Sequence, residues 1–283
     1  MKPREFEYVR AHSVEHALTL LAEEDDVKVL AGGQSLIPTL NMRLSAPKRL
    51  VDINDVAEMQ GIELQDGYLY VGALTRHAEL QQSQLVATHV PLLATAIAHV
   101  AHAAIRNRGT IGGNLAMADP ASELPACSVA LNAEFTIAGI SGMRTALARS
   151  YFKGLYETDL QADELLVGVR FPITGASTVS AFREHVRRRG DFANTGLVVS
   201  AERDGADFTD IAAVFFAVAD RPVMAQDTVA CLLDGGMSDA NIQGALKTLE
   251  GELEIIGDVY TGEAMKMHLA KHYFKETMEE IRG

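Results

Sequence analysis

The run VKVL, Val27–Leu30, reads as a short strand that stops at two adjacent glycines, a glutamine and a serine; apolar sequence resumes at Leu36. A second glycine pair stands far downstream, in GTIGGNLAMADP over residues 109–120. Glycine tolerates positive φ and carries no Cβ, so such loops let a ligand approach the main chain closely. Successive amides in a turn of this kind form a concave anion site. AGGQS adds the Gln34 and Ser35 side chains as donors, and TIGGN adds the Thr110 hydroxyl and the Asn114 amide. Two such loops suit a diphosphate, although either pair taken alone also reads as an ordinary turn. Neither segment is a G-x-G-x-x-G fingerprint or a Walker loop, which argues against a nicotinamide-type Rossmann domain.

The chain has 283 residues, enough for two domains with ordinary cores. No apolar run approaches the ~20 residues of a membrane helix. The charged opening MKPREFEYVRAHSVEH lacks an apolar signal region, so a cytoplasmic location is expected, with Cys127 and Cys231 reduced. A net charge of −13 argues against broad contact with nucleic acid. Two cysteines cannot supply four thiolates, so an iron–sulfur cluster is not expected in this chain.

Ser13 reads as the cap of a helix over Val14–Ala22. Strands are expected at 27–30 and 50–53, and a hairpin over 64–71 turning at Asp66 and Gly67. Thr75 reads as the next helix cap. The apolar spacing from Val90 to Ile105, with Pro91 in the first turn, predicts one long helix ended by RNRG. The second glycine loop would then follow a helix end, with a further helix at about 124–131. Strands are expected at 134–137, 165–171, 179–183, 197–200 and 211–218, and helices at roughly 240–249 and 262–281. PITG, residues 172–175, is the best boundary signal. The result is an α+β chain with a larger front part and a smaller rear one. His12 and His16 have helical i, i+4 spacing but no third partner, so no metal site is expected. No nucleophile–base triad or paired-carboxylate site is evident, and no catalytic residue is assigned.

Four motifs occur in order: VLAGGQSL (29–36), RNRGTIGGNLAMADPASE (106–123), DELLVGVRFP (163–172) and SAFREHVRRRGD (180–191). With them the chain resembles the FAD-binding medium subunit of the molybdenum hydroxylases, the xanthine dehydrogenase and carbon monoxide dehydrogenase family. The resemblance implies a two-subdomain FAD-binding domain of the vanillyl-alcohol-oxidase (PCMH) type over 1–174, divided at about residue 55. A smaller α+β C-terminal domain over 175–283 follows. It further implies that Val29, Leu30, Ala31, Gly32, Gly33, Gln34, Ser35 and Leu36 wrap the FAD diphosphate. Thr110, Ile111, Gly112, Gly113 and Asn114 would close on it from the other side. Glu123 falls where many relatives carry Asp and would face the ribose or adenine. Leu165 would offer a backbone contact at the flavin end, and Arg183 a cation near the isoalloxazine, where some relatives have Lys. Val100 falls where some relatives place an aromatic ring.

The function so implied is electron transfer within a heteromeric enzyme. Electrons from [2Fe-2S] clusters of a small iron–sulfur subunit would pass through FAD to an external acceptor. A large subunit with the molybdenum cofactor would oxidise the substrate, in a dimer of heterotrimers. One alternative is a self-contained FAD oxidase or dehydrogenase, which needs a base over the flavin that the sequence does not offer. Another is an assembly protein that has lost FAD. A bulky β-branched residue at Gly33 or Gly113 is expected to strain positive-φ turns and abolish flavin binding.

Overall fold

The computed structural model describes residues 2–205 and 207–283. Three strands, β1 (Glu7–Arg10), β2 (Val27–Leu30) and β3 (Arg49–Asp52), form a parallel sheet in the order β1-β3-β2. Parallel strands need crossover connections, and the helix Val14–Ala22 makes the one from β1 to β2, leaving room between them for β3. Ser13 Oγ accepts from His16 N at 3.1 Å, as the sequence predicted, and Ala17, Leu18, Leu20 and Leu21 are buried.

A second, antiparallel sheet contains β4 (Ile62–Gln65), β5 (Tyr68–Gly72), β6 (Glu134–Gly139) and β7 (Gly142–Leu147). After a two-stranded ribbon, β8 (Phe152–Gly154) with β9 (Glu157–Thr158), the chain enters the sheet's central strand β10 (Leu165–Pro172). The order is β4-β5-β10-β6-β7. Asp66 and Gly67 turn the β4–β5 hairpin at φ 48° and 82°, the two positive values a type I′ turn requires.

Six short helices connect β5 to β6. Here two expectations fail. Thr75 Oγ1 donates to Gly61 O at 3.0 Å, and Arg76 takes the cap position, its N–H donating to Glu79. The long helix over 90–105 is instead two, Pro91–Ile97 and Ala103–Arg106, with Ala101 between them at φ 45°. Arg106 Nη1 folds back and donates to the Val100 and Ala101 carbonyls at 2.8 and 2.9 Å, satisfying acceptors that the break exposes. Apolar spacing is preserved across the break because Ile97 and Val100 are both buried.

The rear sheet runs β11 (Thr178–His185), β12 (Thr195–Asp204), β13 (Asp207–Phe216) and β14 (Val223–Met224) in antiparallel order. Both its faces are buried, which explains its nearly unbroken apolar strands. Phe182, Val198, Ala212, Val214 and Phe216 join the large front core, while Ala181, Leu197, Val199, Ala213 and Phe215 pack on the closing helices. The alternation follows the two-residue period of a strand. Those helices are Gln226–Gly235, Asp239–Glu252 and Glu263–Arg282. Just past β13, Ala217 N donates to Pro120 O at 2.8 Å, and Ala217 O accepts from the buried Lys266 at 2.7 Å. Front and rear parts are thereby bonded as well as packed.

Candidate functional site

A cavity of about 700 Å³ opens between the helical connection, β10 and the first sheet's loops. Its size lies within the roughly 300–1,000 Å³ of small-molecule and cofactor sites. Both glycine segments line it. Val29, Ala31, Gly32, Gly33, Gln34, Ser35 and Leu36 contribute from one side, and Thr110, Gly112, Gly113 and Asn114 from the other. Glu123, Leu165 and Val100 line it too.

Three candidates lie elsewhere. Leu30 is half-buried beside the loop, its Cδ1 3.1 Å from where a Gly33 Cβ would stand. Ile111 is fully buried. Arg183, on β11, is ion-paired with Glu280 of the last helix and donates to Phe182 O at 3.0 Å.

The segments touch because side chains are missing. A Cβ on Gly32 would stand 2.4 Å from Arg108 O and 2.8 Å from Gly109 Cα. Gly33 has φ +70°, the left-handed region that favours glycine. Among the described loop and cap hydrogen bonds, the amides of Gly32, Gly33, Gln34, Ser35 and Leu36 donate to no carbonyl; pairing resumes with Ile37 N donating to Gly33 O at 3.0 Å. This is a row of free donors at the cavity edge. Gln34 Nε2 is turned onto its own loop, donating to Gly32 O at 3.0 Å.

The second segment is built differently from its sequence expectation. It is the first turn of the helix Ile111–Met117, capped by Thr110. Its amides are already used: Ile111 N donates to Thr75 O at 3.1 Å, Gly112 N to Ala73 O at 2.8 Å, and Gly113 N to Thr110 Oγ1 at 3.1 Å. Asn114 Nδ2 donates to Ser122 Oγ at 2.7 Å. Gly113 is helical rather than at positive φ, so the strain expected there does not arise. The glycines serve approach instead: a Cβ on Gly112 would stand 2.4 Å from Ala73 Cβ, and one on Gly113 2.8 Å from Thr110 Oγ1.

Two buried titratable groups face the cavity. Burial, then the charges of Glu184 and Asp119, push the Glu123 carboxyl up to about 8, against the pull of its own backbone N–H. His77 is 3% exposed, and neither ring nitrogen has a hydrogen-bond partner among the described residues. Burial brings its pKa down to about 4 against an upward pull from the Thr110 backbone, with the Arg106 and Arg76 cations adding to the lowering. At the rim stand Tyr156 and Phe192, the latter 73% exposed. Sequence reasoning missed both aromatic residues and His77. The aromatic directly after the RRRGD run was the available signal for Phe192.

These features fit a dinucleotide: free amides for an anionic linkage, a wall that any Cβ would fill, and apolar surface on either side. Fold and site together define a flavoprotein domain with a smaller C-terminal partner domain. Residues 4–174 match the family described as the FAD binding domain in molybdopterin dehydrogenase, and residues 180–281 the CO dehydrogenase flavoprotein C-terminal domain. The chain is 43% identical over 216 residues to caffeine dehydrogenase subunit beta of Pseudomonas sp. (strain CBB1), covering 75% of this chain and 73% of that one. It is 33% identical over 282 residues to the glyceraldehyde dehydrogenase medium chain of Sulfolobus acidocaldarius, covering 98% and 99%. Carbon monoxide dehydrogenase from Hydrogenophaga pseudoflava, in the form lacking the Mo-pyranopterin moiety of its cofactor, superposes with a TM-score of 0.96 at 34% identity, covering 100% of this chain and 99% of that one. The chain therefore belongs to the FAD-carrying medium subunits of the molybdenum hydroxylases. It is an oxidoreductase subunit of α+β fold whose own cofactor is FAD.

Proposed function

We propose that FAD spans the cavity with its diphosphate on the free amides of Gly32 to Leu36, and with Thr110 to Asn114 closing over it. The observation that carries this reading is that row of unengaged amides, held at a positive-φ glycine against the second segment. When bound, FAD supplies the electron-transfer chemistry that no side chain here can offer. Gly32 and Gly113 let backbone approach the linkage, and the Thr110 hydroxyl, already accepting from Gly113 N, keeps its own proton to donate. Glu123, protonated near neutral pH, holds a proton at its carboxyl and can donate it to a ribose or adenine acceptor. Leu165 offers backbone at the flavin end. Phe192 and Tyr156 screen the rim from water. Arg183, paired with Glu280, has no part in this set.

The complex it serves is read as follows. A small iron–sulfur subunit delivers electrons, a large molybdopterin subunit oxidises substrate, and the assembly is a cytoplasmic dimer of heterotrimers. Two cysteines, one buried and one exposed, support placing the clusters on another chain. Among the described residues no helix is long and apolar enough to cross a membrane. The division into 1–174 and 175–283, with the first part split near residue 55, is supported by three sheets that each fall inside one of the parts.

Reconstitution tests the reading. The full chain, stripped and mixed with excess FAD, should retain one flavin per chain after gel filtration, measured by absorbance. A colourless chain would refute it. Co-expression with a cysteine-rich small chain and a molybdopterin-type large chain should give a stable complex.

A further inference from the structure

Behind the cavity wall a line of polar side chains joins the two glycine segments. Asn54 lies two residues past the end of β3, and its Nδ2 donates to Ala31 O at 2.9 Å and to Asp52 Oδ1 at 2.6 Å. Its Oδ1 accepts from Arg76 Nη2 at 2.6 Å, and Arg76 Nη1 donates to Arg108 O. Asp52 anchors the far end, accepting from the Tyr8 hydroxyl. Burial pushes the Asp52 carboxyl up, but the Tyr8 and Asn54 hydrogen bonds outweigh it and hold the group below the ordinary carboxylate range. The line therefore ends on a stable anion.

Neither Asn54 nor Arg76 lines the cavity; both are half-buried behind it. Yet one carbonyl they hold, Ala31 O, belongs to the first glycine segment, and the other, Arg108 O, immediately precedes the second. Among the described loop and cap hydrogen bonds, no backbone N–H reaches Ala31 O or Arg108 O. Arg108 O is also the atom that a Gly32 Cβ would strike, at 2.4 Å. A trans peptide plane points its C=O and N–H in opposite directions. Holding Ala31 O from behind therefore turns the Gly32 N–H away from Asn54. Arginine suits the other position because its planar fork reaches two acceptors at fixed spacing, which a lysine ammonium does not.

We propose that Asn54 and Arg76 are positioning residues for the dinucleotide cradle, a strut that sets the gap between the glycine segments and the aim of the Gly32 amide. The proposal rests on the reading that those segments hold FAD. It assigns these two residues a measurable share of cofactor affinity although neither touches the cavity.

The test uses the full chain stripped of FAD, with FAD titrated back and followed by flavin fluorescence. Asn54→Ala and Arg76→Met should each weaken binding about tenfold. The double variant should be weakened by no more than about twentyfold, against about a hundredfold for independent sites. Arg76→Lys should bind as weakly as Arg76→Met, since charge is kept and the fork is lost. In the FAD-free chain, Arg76→Met should speed amide exchange at Gly109, whose N–H donates to Ile105 O at 2.7 Å; this measurement serves alone if Asn54→Ala does not fold. Unchanged affinity in the single variants, a hundredfold loss in the double, full rescue by lysine, or unchanged exchange would each overturn the strut. Gly33→Val separates the two readings. If it abolishes binding while the strut variants bind normally, the cradle stands and the strut falls; if it too binds normally, the cradle itself is refuted.

Discussion

In the first glycine segment, which lines the cavity, the main-chain amides are left without a carbonyl partner; in the second they are spent on a helix cap, on Ala73 and on Thr75. The sequences AGGQS and TIGGN look interchangeable, yet one keeps its amides unpaired and the other has them engaged within the fold. What separates them is the next residue in space. Past Gly33 the backbone has only Ile37 to pair with, whereas Gly112 lies on the buried Ala73, close enough that its amide is claimed. A glycine pair thus licenses close approach, and its neighbours decide whether that approach serves a ligand or the core.

The two segments should therefore fail differently. The largest effect is expected at Gly112. Gly112→Val would drive a β-branched side chain into Ala73, both Cβ and carbonyl, and should destabilise the fold by at least about 3 kcal/mol, read as a fall in Tm of the FAD-free chain. A variant melting like the parent would erase the distinction.

Next is the pH profile of the FAD-free chain, where the second segment's acidic neighbour and His77 act in opposite senses. Glu123 has its folded pKa raised from 4.5 to about 8, so its contribution is complete below 4.5 and is lost as pH rises through about 8. The loss should be on the order of a few kcal/mol. His77 is lowered from 6.5 to about 4, so its contribution is complete above 6.5 and is lost as pH falls through about 4. Thermal melts across pH should show Glu123→Gln flattening the alkaline limb while leaving the acid limb in place.

Gly33→Val should be milder for the fold and specific for the ligand. A valine at φ +70° costs about 1–3 kcal/mol, and it misaligns the free amides, so FAD affinity should drop while Tm moves modestly. The smallest effect belongs to Thr110→Val, which removes the cap on Gly113 N and should cost about 1 kcal/mol of stability. Thr110→Ser should restore it.

Much of the architecture was legible beforehand. The Asp66-Gly67 hairpin, the Ser13 cap and the apolar strands from β10 to β13 were readable because local chemistry and burial agree there. The break at Ala101 was not. Apolar spacing continues through it, and the carbonyls left open there are satisfied by Arg106 reaching back across the turn, a contact that periodicity does not encode. The conformation of TIGGN was hidden for a similar reason, since Thr110 caps a helix only once Ala73 and Thr75 are beside it. Gly32 and Gly113 could be named from the motif, whereas Asn54 and Arg76 could not, because their partners are carbonyls far along the chain.

The rear sheet, greasy on both sides, bears on how this protein can be dissected. Severing the chain after residue 174 would strip Phe182, Val214 and Phe216 from the larger core and leave a raw surface beside Pro120. The flavin-holding half, expressed by itself, should clump rather than dissolve. Lineages that shuffle such modules would have to move the whole chain, or supply a new plane to cover the wound.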